Sequence, residues 1–113
     1  MEAVNVARLD DIPDGGMKQV IVRGEPVGLY RVADDVYAIH DVCTHEEAYL
    51  TEGDFDPDEC EVECPLHGSR FNVQSGDVRI LPATRPVATY EVRIADGNVL
   101  VGERSDLTQG KRS

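Results

Sequence analysis

Four residues near the middle of the chain have the chemistry to grip a soft metal. Cys43 and His45 form one short cluster, and Cys64 and His67 form another. The pattern reads C-x-H, then 18 residues, then C-x-x-H. Thiolate sulfur and imidazole nitrogen suit zinc or an iron–sulfur centre. A structural zinc site usually draws like ligands from each knuckle, two cysteines from one and two histidines from a helix. Here each cluster offers one sulfur and one nitrogen. That arrangement fits two metal ions better than one, because each loop can give its cysteine to one ion and its histidine to the other. A single structural zinc remains the competing reading.

The other soft ligands fall outside the pattern. Cys60 precedes Cys64 by four residues and has no histidine beside it, so it reads as a half-buried thiol. His40 precedes Cys43 by three residues and reads as a strand-end residue. Three cysteines leave one over in any disulfide scheme, and a reducing compartment would keep all of them as thiols, so metal binding explains them better. The chain shows neither a nucleophile–base pair nor a phosphate-binding glycine loop.

The elements that must position the two clusters are strands. Turn signals recur at Asp14-Gly15-Gly16, Arg23-Gly24-Glu25-Pro26, Ala33-Asp34-Asp35, Ser75-Gly76-Asp77 and Asp96-Gly97-Asn98. Between them, Gln19 to Arg23, Val27 to Val32, Val36 to Ile39, Val87 to Ile94 and Val99 to Val101 are rich in branched residues and are predicted as strands. Thr89 to Ile94 alternates polar and apolar, as a strand with one wet face does. Asp96-Gly97 between two such runs predicts a hairpin. No convincing helix is found, and Thr44 to Leu50 is expected to form at most about a turn.

The expected fold is therefore all-β, an antiparallel sandwich or barrel, in a single domain covering residues 1–113. A lobe from about Asp41 to Pro82 interrupts it and carries both ligand clusters. That lobe is rich in Asp, Glu, Gly and Pro. It is expected to depend on the bound metal rather than on apolar burial for its stability. The polar stretch from Ser105 to Ser113 is expected to fray.

Composition narrows the partners. With 22 acidic and 11 basic residues the formal net charge is -11. Such a surface repels nucleic acid and anionic membranes and steers the chain towards a basic patch on a partner. Hydrophobic residues make up 41% and Trp is absent, so the core must rest on Val, Ile and Leu. No apolar stretch approaches the roughly 20 residues that span a bilayer. The first residues do not resemble a secretory signal. A cytoplasmic location, with no membrane contact, is the expectation.

The two motifs, "CTH" at Cys43 to His45 and "CPLHGS" at Cys64 to Ser69, resemble those of Rieske proteins, and among these the small ferredoxins of multicomponent oxygenases. In a Rieske [2Fe–2S] centre two histidines replace two cysteines on one iron. The resemblance implies one such cluster held by Cys43, His45, Cys64 and His67. It also implies a Rieske-like β base under a small cluster-binding lobe. It further implies a third, proline-bearing loop at Leu81 to Pro86, stiffened by Pro82 and Pro86, that shields the cluster, and a tight turn at Gly68.

Charge counting gives the ligand set its meaning. Two ferric ions, two sulfides and two thiolates sum to zero, against -2 for four thiolates. Adding an electron to a neutral site costs less. Rieske potentials accordingly lie at roughly -150 to +300 mV, and plant-type ferredoxins near about -400 mV. The Rieske proteins of respiratory and photosynthetic membranes carry an extra disulfide where this sequence has Ala48 and Leu66. They carry a tyrosine where it has Phe71. Both departures point to the low end of the range. Ser69 keeps a hydroxyl that can reach a bridging sulfide. Glu46 and Glu47 follow the first histidine; a carboxylate near the cluster contributes on the order of 0.5–2 kcal/mol of repulsion, or roughly 20–90 mV for one electron.

By resemblance, the chain is a one-electron carrier and is not catalytic alone. A flavin-dependent reductase would draw on NAD(P)H and pass electrons singly to it. It would carry them to the terminal Rieske oxygenase of a biphenyl-, naphthalene- or carbazole-type dioxygenase system. His45 and His67 would present their second ring nitrogens as the exit. A monomer suits such a shuttle. The alternative within the family is a tightly bound small subunit of a nitrite-reductase-type complex.

Overall fold

The computed structural model describes residues 3–44, 47–66, 68–81 and 85–105. Ten strands run in chain order: β1 (Val4–Arg8), β2 (Met17–Val22), β3 (Glu25–Val32), β4 (Asp35–His40), β5 (Asp54–Asp56), β6 (Glu61–Glu63), β7 (Arg70–Asn72), β8 (Val78–Ile80), β9 (Thr89–Ala95) and β10 (Asn98–Ser105). Among the described residues the helical segments are two three-residue 3₁₀ turns, Leu9–Asp11 and Leu50–Glu52.

The long strands form an antiparallel six-stranded sheet in the order β1-β10-β9-β4-β3-β2. Its edge strands β1 and β2 approach each other and nearly close it. The short strands form a second sheet, β5-β6-β7-β8. Chain order places this second sheet wholly between β4 and β9, which is the lobe expected from the sequence.

Period-two patterning explains the base. On β9 and β10 the pairs Val99↔Ile94 and Val101↔Val92 lie opposite each other, and all four pack into one apolar cluster with Ile12, Val22, Val27 and Leu29. Cross-strand aliphatic pairs of this kind are the unit of sheet stability. The hairpin predicted at Asp96-Gly97 is present, closed by Ala95↔Asn98. The sequence missed β1 and all four lobe strands. The lobe strands are three residues each, too short to show a period.

One expectation needs correcting. The lobe is not held by a metal alone. It shares a second apolar cluster with the base, in which Leu50, Val62, Phe71 and Val73 from the lobe meet Tyr30, Ile39 and Val87 from the base strands and their flanks. Tyr30 on β3 and Phe55 on β5 meet edge to face, with ring centroids 5.0 Å apart. Composition hid this, because the acidic residues of β5 and β6 alternate with the apolar ones and point outward, some into ion pairs. Arg70 on β7 bridges Glu63 at 3.1 Å and Glu61 at 3.4 Å, and Arg79 on β8 reaches Glu61 at 3.5 Å. Glu63 first, then Glu61, raise the Arg70 pKa by accepting its hydrogen bonds.

Candidate metal centre

The two motif cysteines occupy the same structural position in two loops. The first loop leaves β4 and is closed by the Val42↔Tyr49 bridge. The Cys43 amide donates to the Ala48 carbonyl at 2.9 Å, and the Leu50 amide donates to the Asp41 carbonyl at 2.8 Å. The second loop is the tip of the β6–β7 hairpin, whose last strand pair is Glu63↔Arg70. There the Cys64 amide donates to the Ser69 carbonyl at 2.7 Å. Each cysteine is thus the last bonded residue before a tip of four, residues 44–47 in one loop and 65–68 in the other.

Both sulfurs belong to one environment. Cys43 is 4% exposed and Cys64 1%, and both lie in the same apolar cluster. Neither is in a disulfide. Two buried thiols on separate, rigidly stemmed loops facing one shared core are a fit donor pair for a metal centre. Their partners in the expected ligand set, His45 and His67, lie within the two tips in sequence and outside the described residues, as does Glu46.

Two glycines allow this geometry. Gly68, at φ +78, takes the left-handed turn that brings its amide back to the Cys64 carbonyl at 3.2 Å. An L side chain is strained there. Gly53 ends the 3₁₀ turn that follows the first loop. A Cβ on Gly53 would overlap the Glu63 carbonyl oxygen and crowd Pro65, the two residues that flank Cys64. The sequence drew attention to Gly68 and not to Gly53; a glycine in "TEGDF" carries no local sign that a second loop passes against it.

The end of the third loop is tied to the first. The Thr44 hydroxyl donates to the Arg85 carbonyl at 2.7 Å, and Val87 packs beside the cysteines. Pro86 is half-buried, and Pro82 lies outside the described residues. The other motif residues divide. Ser69 is 1% exposed. Phe71 is fully buried in the shared cluster. Ala48 packs at the edge of that cluster, whereas Leu66 points outward at 56% exposure. Cys60 is half-buried and sits outside the two loops, with its thiol 3.7 Å from the Pro57 carbonyl. Burial first, then Glu59 and Asp56, push that thiol above its ordinary pKa. His40 ends β4, as expected.

Sequence reasoning missed Asp41, which is fully buried at the root of the first loop. Nothing in a single sequence separates it from the many exposed aspartates of this chain. Beside the loop lies an open hollow of about 500 Å³ lined by Val42, Glu47, Ala48, Tyr49 and Glu52.

Comparison with known proteins agrees with this geometry. The profile of the Rieske [2Fe-2S] domain family matches residues 2–91. The ferredoxin component of naphthalene 1,2-dioxygenase/salicylate 5-hydroxylase systems from Ralstonia sp. is 38% identical over 98 residues, covering 87% of this chain and 92% of that protein. The ferredoxin of carbazole 1,9a-dioxygenase from Nocardioides aromaticivorans IC177 superposes with a TM-score of 0.88 at 40% identity, covering 90% of this chain and 98% of that one. A chain in the complex of reduced oxygenase and oxidized ferredoxin of carbazole 1,9a-dioxygenase superposes with a TM-score of 0.84 at 38% identity, covering 93% and 96%.

Proposed function

We propose, from the premise that this chain belongs to the Rieske [2Fe–2S] domain family, that it is the ferredoxin of an aromatic ring-hydroxylating dioxygenase system. It carries one Rieske-type cluster and is not catalytic alone. The observation that carries the reading is the matched pair of buried cysteines, neither in a disulfide, whose amides each close a loop stem five residues on, in a chain that covers its ferredoxin relatives almost from end to end. When bound, the cluster supplies one reversible electron.

The chain's own residues do the rest. Cys43 and Cys64 give the two thiolates, and His45 and His67 complete the ligand set. The apolar cluster around the cysteines excludes water from the sulfur side. Ala48, Leu66 and Phe71 provide neither an extra disulfide nor a phenol, which supports a potential at the low end of the Rieske range. The acidic flank at Glu47 and Glu52 and the exposed Leu66 and Tyr49 give a surface suited to brief docking over a small area.

The partners in this reading are a flavin-dependent reductase that supplies electrons and a terminal Rieske oxygenase that receives them. Residues 1–113 act as one domain and as a monomer in the cytoplasm; no helix among the described residues is long and apolar enough to cross a membrane. Matched relatives are named as ferredoxin components of dioxygenases, which favours a shuttle over the small subunit of a nitrite-reductase-type complex.

Two assays test the proposal. The purified chain is expected to hold two irons and two acid-labile sulfides. Added to a reductase and a terminal oxygenase of the aromatic type, it is expected to make NAD(P)H-dependent hydroxylation depend on its concentration. Zinc in place of iron, or hydroxylation that proceeds equally without the chain, would overturn the reading.

A further inference from the structure

The first cysteine loop is rooted on a buried aspartate. The Asp41 side chain is fully buried, and it accepts three hydrogen bonds. Gln19 Nε2 donates to Oδ2 at 2.7 Å, the Thr51 hydroxyl donates to Oδ2 at 2.6 Å, and the Thr51 amide donates to Oδ1 at 2.9 Å. The backbone of Asp41 is fixed as well. Its amide donates to the Pro26 carbonyl at 3.0 Å, and its carbonyl accepts from the Leu50 amide at 2.8 Å. One residue therefore touches β2, the start of β3, and the exit of the loop whose entrance it forms, two residues before Cys43.

Burying a carboxylate costs several kcal/mol unless its oxygens are satisfied. Here three neutral donors satisfy both oxygens. Nearby, burial first and then Asp41 push the Tyr30 hydroxyl well above its ordinary pKa. An asparagine could still accept from the Thr51 amide, but it would turn an NH2 donor towards Gln19 Nε2 and the Thr51 hydroxyl, both of which donate to Oδ2 here. The aspartate offers two acceptor oxygens and no donor, which matches the three donors aimed at it.

We propose that Asp41 is a positioning residue for the metal centre, clamping the entrance and exit of the Cys43 loop to the base sheet. The proposal deepens the Rieske reading and rests on it. Without the clamp, the Cys43↔Ala48 and Asp41↔Leu50 stem bonds stand alone between β4 and the 3₁₀ turn. The sulfur position then follows the loop's own fluctuations.

The test is Asp41→Asn in the full chain, with Val99→Ala as the comparison. Val99 is fully buried in the other apolar cluster, away from the cysteines. Asp41→Asn is expected to speed amide exchange at Leu50 and Thr51 roughly tenfold or more, since hydrogen bonds to a charged group are lost or weakened. It is also expected to move the electron paramagnetic resonance signature of the reduced protein and its reduction potential. Val99→Ala is expected to lower the melting temperature while leaving exchange at Leu50, the signature and the potential unchanged. Unaltered exchange and potential in Asp41→Asn would overturn the proposal, as would an equal response in Val99→Ala. Should Asp41→Asn not fold, Thr51→Val, which loses one hydroxyl and keeps the amide, is expected to speed Leu50 exchange severalfold; no change there also overturns it. Amide exchange can be read on the metal-free chain too. A chain that held no iron would remove the Rieske reading, while the exchange rates at Leu50 and Thr51 would still show whether Asp41 clamps the loop.

Discussion

Thr44 and Arg85 tie the first cysteine loop to the third loop: the threonine hydroxyl donates to the arginine carbonyl at 2.7 Å, across 41 residues of sequence. This bond and the Asp41 clamp hold the first loop at two separate points. Thr44→Val keeps the shape and removes the donor. The bond is solvent-accessible, so its loss is expected to cost about 1 kcal/mol or less. That corresponds to a fall of a few degrees in melting temperature. Bleaching of the visible absorbance by an iron chelator is expected to run severalfold faster. An unchanged bleaching rate would mean that the third loop shields the centre without this bond.

Gly53→Ala is expected to do much more damage. The added methyl overlaps backbone, not a flexible side chain, so the loop exit or the Glu63–Pro65 segment must move. Overpacking against a fixed backbone costs about 1–3 kcal/mol. Because the displaced segment carries Cys64, iron content is expected to fall along with the denaturation midpoint. Full iron content at an unchanged midpoint would show that the two loops are not locked together at this point.

How much of this could be read from the sequence follows from what each feature depends on. Val92, Ile94, Val99 and Val101 announced themselves because burial on one face of a strand leaves a period of two. The ligand clusters were legible because metal chemistry restricts residue type and spacing together. β5 to β8 were not legible, since three residues show no period. Gly53 and Asp41 were invisible for a different reason. Each owes its importance to a neighbour ten or more residues away, Glu63 in one case and Thr51 and Gln19 in the other. A single chain records no such proximity.

Exchange of a ligand tests the charge argument behind the potential. His45→Cys or His67→Cys replaces a neutral imidazole with a thiolate. If the protein still assembles its centre, the potential is expected to drop by on the order of 100 mV, since two such exchanges separate Rieske from plant-type centres. Redox titration gives the answer directly. An unchanged or raised potential would mean that ligand charge does not dominate.

The Cys60 thiol supplies a pH test. Its folded pKa lies above the ordinary value of 9.0, through burial and the nearby Glu59 and Asp56. A raised pKa favours the protonated form in the folded state. The associated stability is therefore complete below about pH 9 and declines as pH rises through the folded value. Alkylation of the native protein is expected to begin at Cys60, because Cys43 and Cys64 are buried. Its rate is expected to reach half-maximum above about pH 9, the ordinary thiol range. Cys60→Ser is expected to abolish this early labelling while leaving iron content intact. Iron loss in Cys60→Ser would instead make this thiol part of the site.

Docking can be separated from electron transfer by its salt dependence. Glu47 and Glu52 line one hollow on the flank of the first loop, with Tyr49 between them, and the chain as a whole carries a net charge of -11. Charges on such a surface steer encounter and change on-rates more than they change the final contact. At about 0.1 M salt the screening length is only about 10 Å, so their effect must fade as salt is added. Glu47→Lys with Glu52→Lys is expected to slow reduction by the reductase severalfold at low ionic strength. The rates of variant and parent are expected to converge near about 1 M salt, where screening is nearly complete, with the potential little altered. Stopped-flow mixing across a salt series measures this. If the variant is slowed equally at every ionic strength, the two carboxylates act through the structure of the loop and not through attraction. If it is not slowed at all, the partner approaches from the Leu66 side, where the exposed surface is apolar.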